Sequence, residues 1–84
     1  MTDTPAILAK LRELLQAQLK LSEADTAKID LSTTPVTVAG WTSMAHLELM
    51  LAVERAYDLT FDADEIAGLA SVQSIVDAVS RTRA

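Results

Sequence analysis

Residues 41–57 read Trp41-Thr42-Ser43-Met44-Ala45-His46-Leu47-Glu48-Leu49-Met50-Leu51-Ala52-Val53-Glu54-Arg55-Ala56-Tyr57, and this stretch decides the fold. At about 100° per residue, His46, Leu49, Met50, Val53 and Tyr57 fall on one side of a helix, the arrangement expected of a core-facing stripe. Thr42 stands where a side-chain oxygen can accept a free N–H of the first turn, so a helix over 43–57 with Thr42 as its N-cap is expected.

The same helix carries a second apolar face. Met44, Leu47 and Leu51 group together, interleaved with Glu48, Arg55 and Asp58, on a side that the first stripe cannot bury. Two readings follow. Either the preceding loop or a neighbouring helix covers these residues, or a small apolar patch ringed by charge is a docking site for a partner.

Working outward, Ile7, Leu8, Leu11, Leu14, Leu15 and Leu19 recur at helical spacing after Pro5, and Asp3 or Thr4 supplies the cap. A first helix of about four turns is expected. Lys10, Arg12, Glu13, Gln16 and Lys20 then cover its opposite side. Between Leu21 and Thr42 the period disappears, and Pro35 and Gly40 punctuate the chain. A loop this long inside a compact domain is usually functional or disordered. Ile29, Leu31, Val36, Val38 and Trp41 offer anchors for an ordered loop across the helices. Val36-Thr37-Val38 alternates as a strand would, but without a partner strand it reads as extended loop. Downstream, a short helix starts near Asp62 and closes at 68–70. Ser71 then caps a last helix whose Val72, Ile75, Val76 and Val79 share a face. The expected fold is all-α: a small four-helix bundle of three main helices and one short helix, with a long loop between the first and second helices.

With 84 residues, half of them apolar, the chain supports one domain over 1–84. The absence of cysteine and the single histidine exclude a disulfide framework, a thiolate nucleophile and a Cys- or His-rich metal site. No segment approaches the ~20 apolar residues of a membrane span, and no secretory leader is visible. A soluble, cytoplasmic monomer is expected, with no membrane partner.

The formal charge of −5 is unevenly spread: residues 1–40 hold five acids and four bases, and residues 41–80 hold seven acids and one base. Such a surface repels nucleic acid and favours basic partner proteins, although acids of this kind also serve solubility alone.

A serine in the first turn of a helix usually has a capping role, but a helix N-terminus also favours an attached phosphate. Here the surrounding series carries more than the serine does. Gly40-Trp41-Thr42-Ser43-Met44, the pairs Glu48-Leu49 and Val53-Glu54, Tyr57, Phe61, Ile66, Leu69 and Ser71-Val72 together resemble the acyl carrier protein family over about half the chain. The first helix and the loop agree with it in architecture only.

That resemblance implies 4′-phosphopantetheine attached covalently to Ser43 by a phosphopantetheinyl transferase. It also implies an acyl or aminoacyl group held on the arm as a thioester and presented to loading and transferring enzymes. The chain would be a freestanding carrier and not itself an enzyme. Thr42, Met44, Leu47, Glu48, Leu51 and Glu54 would form the face that partners bind. Where the family usually has aspartate before the serine this chain has Thr42, and Ala45 and Ala56 replace frequent acids. Because those acids help a transferase and its Mg²⁺ engage the carrier, three outcomes stay open: a transferase suited to Thr42, slow modification, or a helical interaction module that keeps the fold without the arm. A hydrolase built on Ser43 and His46 would need an oriented acid, an oxyanion site and a nucleophile elbow, none of which the sequence offers. His46 is expected instead as a packing residue near a cavity mouth.

Overall fold

The computed structural model describes residues 4–38 and 40–83. Five helices follow one another: α1 (Thr4–Leu19), α2 (Glu23–Ala27), α3 (Ser43–Tyr57), α4 (Ala63–Gly68) and α5 (Val72–Arg83). No strand occurs among the described residues, so the all-α expectation holds. Asp3, one of the two caps expected for α1, lies outside the described residues. None of the described helices is long and apolar enough to cross a membrane.

The core is built from the stripes that the spacing picks out. Ile7, Leu11 and Leu15 of α1, Leu49, Met50 and Val53 of α3, and Val72, Ile75, Val76 and Val79 of α5 are all buried in one cluster. Each of these three helices buries one face because burial of apolar area is the main favourable contribution to folding. Leu8, Leu14, Leu19 and Tyr57 pack against the cluster from its edge, half-exposed. Helix α1 packs on both α3 and α5.

Helix ends are closed by means visible in the side chains. At Lys20 and Asp58 the backbone enters the left-handed region, with φ of 54° and 52°. In each case the next N–H reaches back five residues, Leu21 to Gln16 at 3.1 Å and Leu59 to Glu54 at 3.0 Å, as in a Schellman closure. Asp62 and Glu65 form a capping box at the start of α4. Ser71 Oγ accepts the Ser74 N–H at 3.1 Å, as expected of a cap on α5.

Two expectations for the loop need correction. Residues 23–27 form α2, capped by Ser22 Oγ, which accepts the Asp25 N–H at 3.1 Å. This helix buries no residue, so it leaves no apolar period to read. The bundle therefore has a second short helix inside the loop. Val36, expected as an anchor, is 94% exposed. Residues 35–37 form a turn, in which Thr37 donates its N–H to the Thr34 carbonyl at 3.0 Å and its hydroxyl to the same oxygen at 2.9 Å. The alternation at 36–38 thus reflects neither strand nor extended loop.

The other anchors act as expected: Ile29 and Trp41 are buried, and Leu31 and Val38 pack half-exposed against the core. Polar bonds complete the attachment. Val72 N–H donates to the Thr33 carbonyl at 2.9 Å and Gln73 N–H to the Leu31 carbonyl at 3.0 Å, so the loop satisfies first-turn donors of α5 that have no partner within the helix. Arg12, expected only to cover the outer side of α1, donates Nε–H to the Ile29 carbonyl at 2.8 Å. The loop is thereby fixed to α1 and to the start of α5, and it delivers the chain to the start of α3.

Candidate functional site

The approach to Ser43 is set residue by residue. Gly40 has φ of +87°, a conformation costly for any residue with a Cβ. Its turn directs Trp41 inward, where the ring is buried. Thr42 follows as the N-cap, extended at φ −84° and ψ 175°, with its side chain accepting the Ala45 N–H at 3.2 Å. The Thr42 carbonyl accepts the His46 N–H at 2.8 Å. Ser43 is the first residue of α3 and is exposed.

This end of α3 holds no acidic residue in its first turn. The free donors and the positive end of the helix dipole therefore face solvent without a competing carboxylate. Beside Ser43 opens a cleft of about 450 Å³, lined by Trp41, His46 and Leu47 on one side and by Ala63, Ile66 and Leu69 on the other. Its floor is largely apolar.

His46 stands between the two walls. The Trp41 indole N–H donates to His46 Nδ1 at 3.1 Å, and Nε2 lies 3.3 Å from the Ile66 carbonyl. The rings lie 5.9 Å apart between centroids, tilted by 33°. Because an indole nitrogen only donates, Nδ1 must be the unprotonated nitrogen, which places the ring proton on Nε2 toward Ile66. Both ring nitrogens are thus occupied away from Ser43, and this arrangement contains no serine–histidine dyad. His46 thus lies at the cleft, as its place on α3 leads one to expect, whereas its indole partner is not announced by the helical period. A buried tryptophan five residues before a histidine is the signal that could have found the pair, since a buried indole N–H usually finds an acceptor.

On the outer side of α3, Met44 is 66% exposed, and Leu47 and Leu51 are each 50% exposed. The second apolar stripe is therefore open and not covered by the loop. Glu48 and Thr42 are exposed beside it. Glu54 stands apart from them: it is half-buried, and its carboxylate accepts the Phe61 backbone N–H at 2.7 Å. The structure thus brings Thr42, Ser43, Met44, Leu47, Glu48 and Leu51 onto one accessible end and flank of α3, while Glu54 is engaged with the segment leading to α4.

A family model described as the phosphopantetheine attachment site matches residues 9–79. The chain belongs to this family and is a phosphopantetheine-binding carrier protein of the acyl carrier type. Its cofactor is 4′-phosphopantetheine, bound covalently to a serine. No curated protein matches the chain.

Proposed function

We propose that Ser43 is the attachment serine and that the chain carries an acyl or aminoacyl group between partner enzymes. The observation that supports this most directly is the geometry of the α3 start, where an exposed hydroxyl stands at a helix N-terminus without any first-turn acid. A phosphodiester formed there would meet unpaired N–H groups and a favourable dipole. Ser43, Thr42 and the adjoining cleft would hold the base of the arm. When attached, the group supplies a terminal thiol on which cargo is held as a thioester, chemistry that a protein without cysteine cannot provide.

Met44, Leu47 and Leu51 form the apolar anchor of the docking face, and Glu48 supplies its charge. A phosphopantetheinyl transferase and the loading and transferring enzymes would approach by this flank, which adjoins Ser43 on α3. Exposed apolar residues close to a reactive position suit contacts that form and dissolve repeatedly. In this role the protein presents cargo and its partners perform the chemistry.

The test is intact-mass measurement after incubation with coenzyme A and a broad-specificity transferase. A gain of one phosphopantetheinyl group in the parent, and none in Ser43→Ala of unchanged helix content, is the expected result. Modification that persists in Ser43→Ala would overturn the site. No modification by any transferase would favour an interaction module that keeps the fold without its arm.

A further inference from the structure

We propose that His46, in its neutral form, is a positioning residue for the reaction at Ser43, acting through Trp41; this rests on Ser43 being the attachment serine. His46 bonds both walls of the cleft, taking the indole N–H of Trp41 on Nδ1 and facing the Ile66 carbonyl with Nε2. Trp41 immediately precedes the Thr42 cap and is buried. Holding the indole therefore holds the segment that sets where α3 begins and where the Ser43 hydroxyl stands.

The link depends on the charge of the imidazole. A second proton can only be added at Nδ1, and it would then point at the indole N–H, donor against donor. The indole N–H then loses the acceptor it has on His46, and an unpaired donor on a buried residue is costly. The indole must turn away, and the Gly40–Thr42 segment with it. The Nε2–H toward Ile66 persists in either charge state, so protonation releases the Ser43 side of the cleft and leaves the α4 side in place. Histidine is the side chain that ordinarily changes charge between pH 5 and 8.

Nothing charged lines the cleft to complicate this response. On α3 the nearest acid, Glu48, is exposed on the other flank, and Glu54 is bound to Phe61. On α4, Asp62 and Glu65 are paired in the capping box, and Asp64 faces a separate depression with Asp77 and Arg81. From the loop Pro35, Trp41 and Thr42 reach the cleft, none of them charged, and Leu69 and Ala70 close it from the linker before α5. A phosphodiester on Ser43 would add a charge one turn from His46, so the unmodified protein is the form to titrate.

The chain has one tryptophan and one histidine, so each gives a single assignable signal. The experiment follows the indole Nε1–H and the His46 ring resonances of the unmodified parent from pH 8 to 5, with helix content monitored by circular dichroism. Both resonances should move with one midpoint while the helix content holds. An indole signal that stays fixed while His46 titrates overturns the proposal, and so does loss of helix at that same midpoint. The second arm measures the rate of arm attachment at several pH values for the parent and for His46→Asn, whose side-chain oxygen can accept the indole N–H but cannot titrate. The parent-to-variant ratio should fall roughly two- to tenfold toward acid pH, the range that one net hydrogen bond represents. A flat ratio overturns the positioning role. Should His46→Asn fail to fold, His46→Gln takes its place and the parent resonances still decide. Attachment absent from Ser43 at every pH would overturn the carrier reading and the positioning role together, while the resonances judge the Trp41–His46 link independently.

Discussion

The carboxylate of Glu54 accepts the backbone N–H of Phe61 at 2.7 Å, bridging the end of α3 to the segment that starts α4. Phe61 is itself buried in the core, so its N–H has little access to water and needs this partner. Hydrogen bonds to charged groups contribute about 1.5–3 kcal/mol, more than neutral ones. Glu54→Ala should lower stability by about 1–3 kcal/mol in urea unfolding, with an arm-attachment rate close to that of the parent once the protein is folded. Glu48→Ala, at an exposed position, should do the reverse. A stable Glu54→Ala with slowed attachment would place Glu54 among the partner contacts instead.

The two stripes of α3 should respond oppositely to the same substitution. Val53 is fully buried at the centre of the core stripe, so Val53→Lys buries a charge without a partner and should cost several kcal/mol, enough to unfold a domain of this size. Leu47 is half-exposed, and Leu47→Lys should stay within about 1 kcal/mol of the parent. Loading should fail in that variant, because the apolar anchor near Ser43 is gone. Thermal melts paired with a modification time course separate the two effects. If Leu47→Lys melts as early as Val53→Lys, the outer stripe is a packing surface.

Asp30 gives the loop a pH dependence of defined sign. The Ser32 hydroxyl, at 2.6 Å, is the main influence holding its carboxyl below the usual value of 3.8, helped by the Ser32 backbone N–H at 2.9 Å. A carboxyl lowered in the folded state contributes stability that is fully present above its unfolded value and is lost as pH falls through the folded value. The stability advantage of the parent over Asp30→Asn should therefore be present at neutral pH and shrink once pH drops below the carboxylate range. Urea melts of both proteins across that interval would show it. A difference that stays constant down to acid pH would mean that the charge of Asp30 contributes nothing to the Ser32 turn.

The parts of the fold that were legible in the sequence are those that repeat. Leu49, Met50 and Val53, or Val72, Ile75 and Val76, announce their helices because a helix packed on one side must place apolar residues at its own period. Helix α2 buries nothing and so leaves no such record. Val36 failed as an anchor because the Thr34–Thr37 turn that exposes it is written in hydroxyl bonds and not in hydrophobicity. At the candidate site, the family was readable from the ordered series of residues around Ser43. The Trp41–His46 and Arg12–Ile29 bonds were not, since single contacts across a helix start or between distant segments have no periodicity.

Thr42 offers the most direct test of why this carrier departs from its family around the serine. Its side chain caps α3 by accepting the Ala45 N–H, a task aspartate performs about as well, so Thr42→Asp should leave the thermal midpoint nearly unchanged. The electrostatic surroundings would change more. The first turn of α3 holds no acid, and a carboxylate at the cap would introduce one beside Ser43, where, on the proposed function, a transferase would bring its Mg²⁺. If the missing acid limits recognition, Thr42→Asp should be modified faster than the parent by transferases of broad specificity, and the gain should diminish with added salt as the charge is screened. A rate that is unchanged or slower, in a variant of parental stability, would instead show that Thr42 is matched to its own transferase and that recognition rests on the apolar flank of Met44, Leu47 and Leu51.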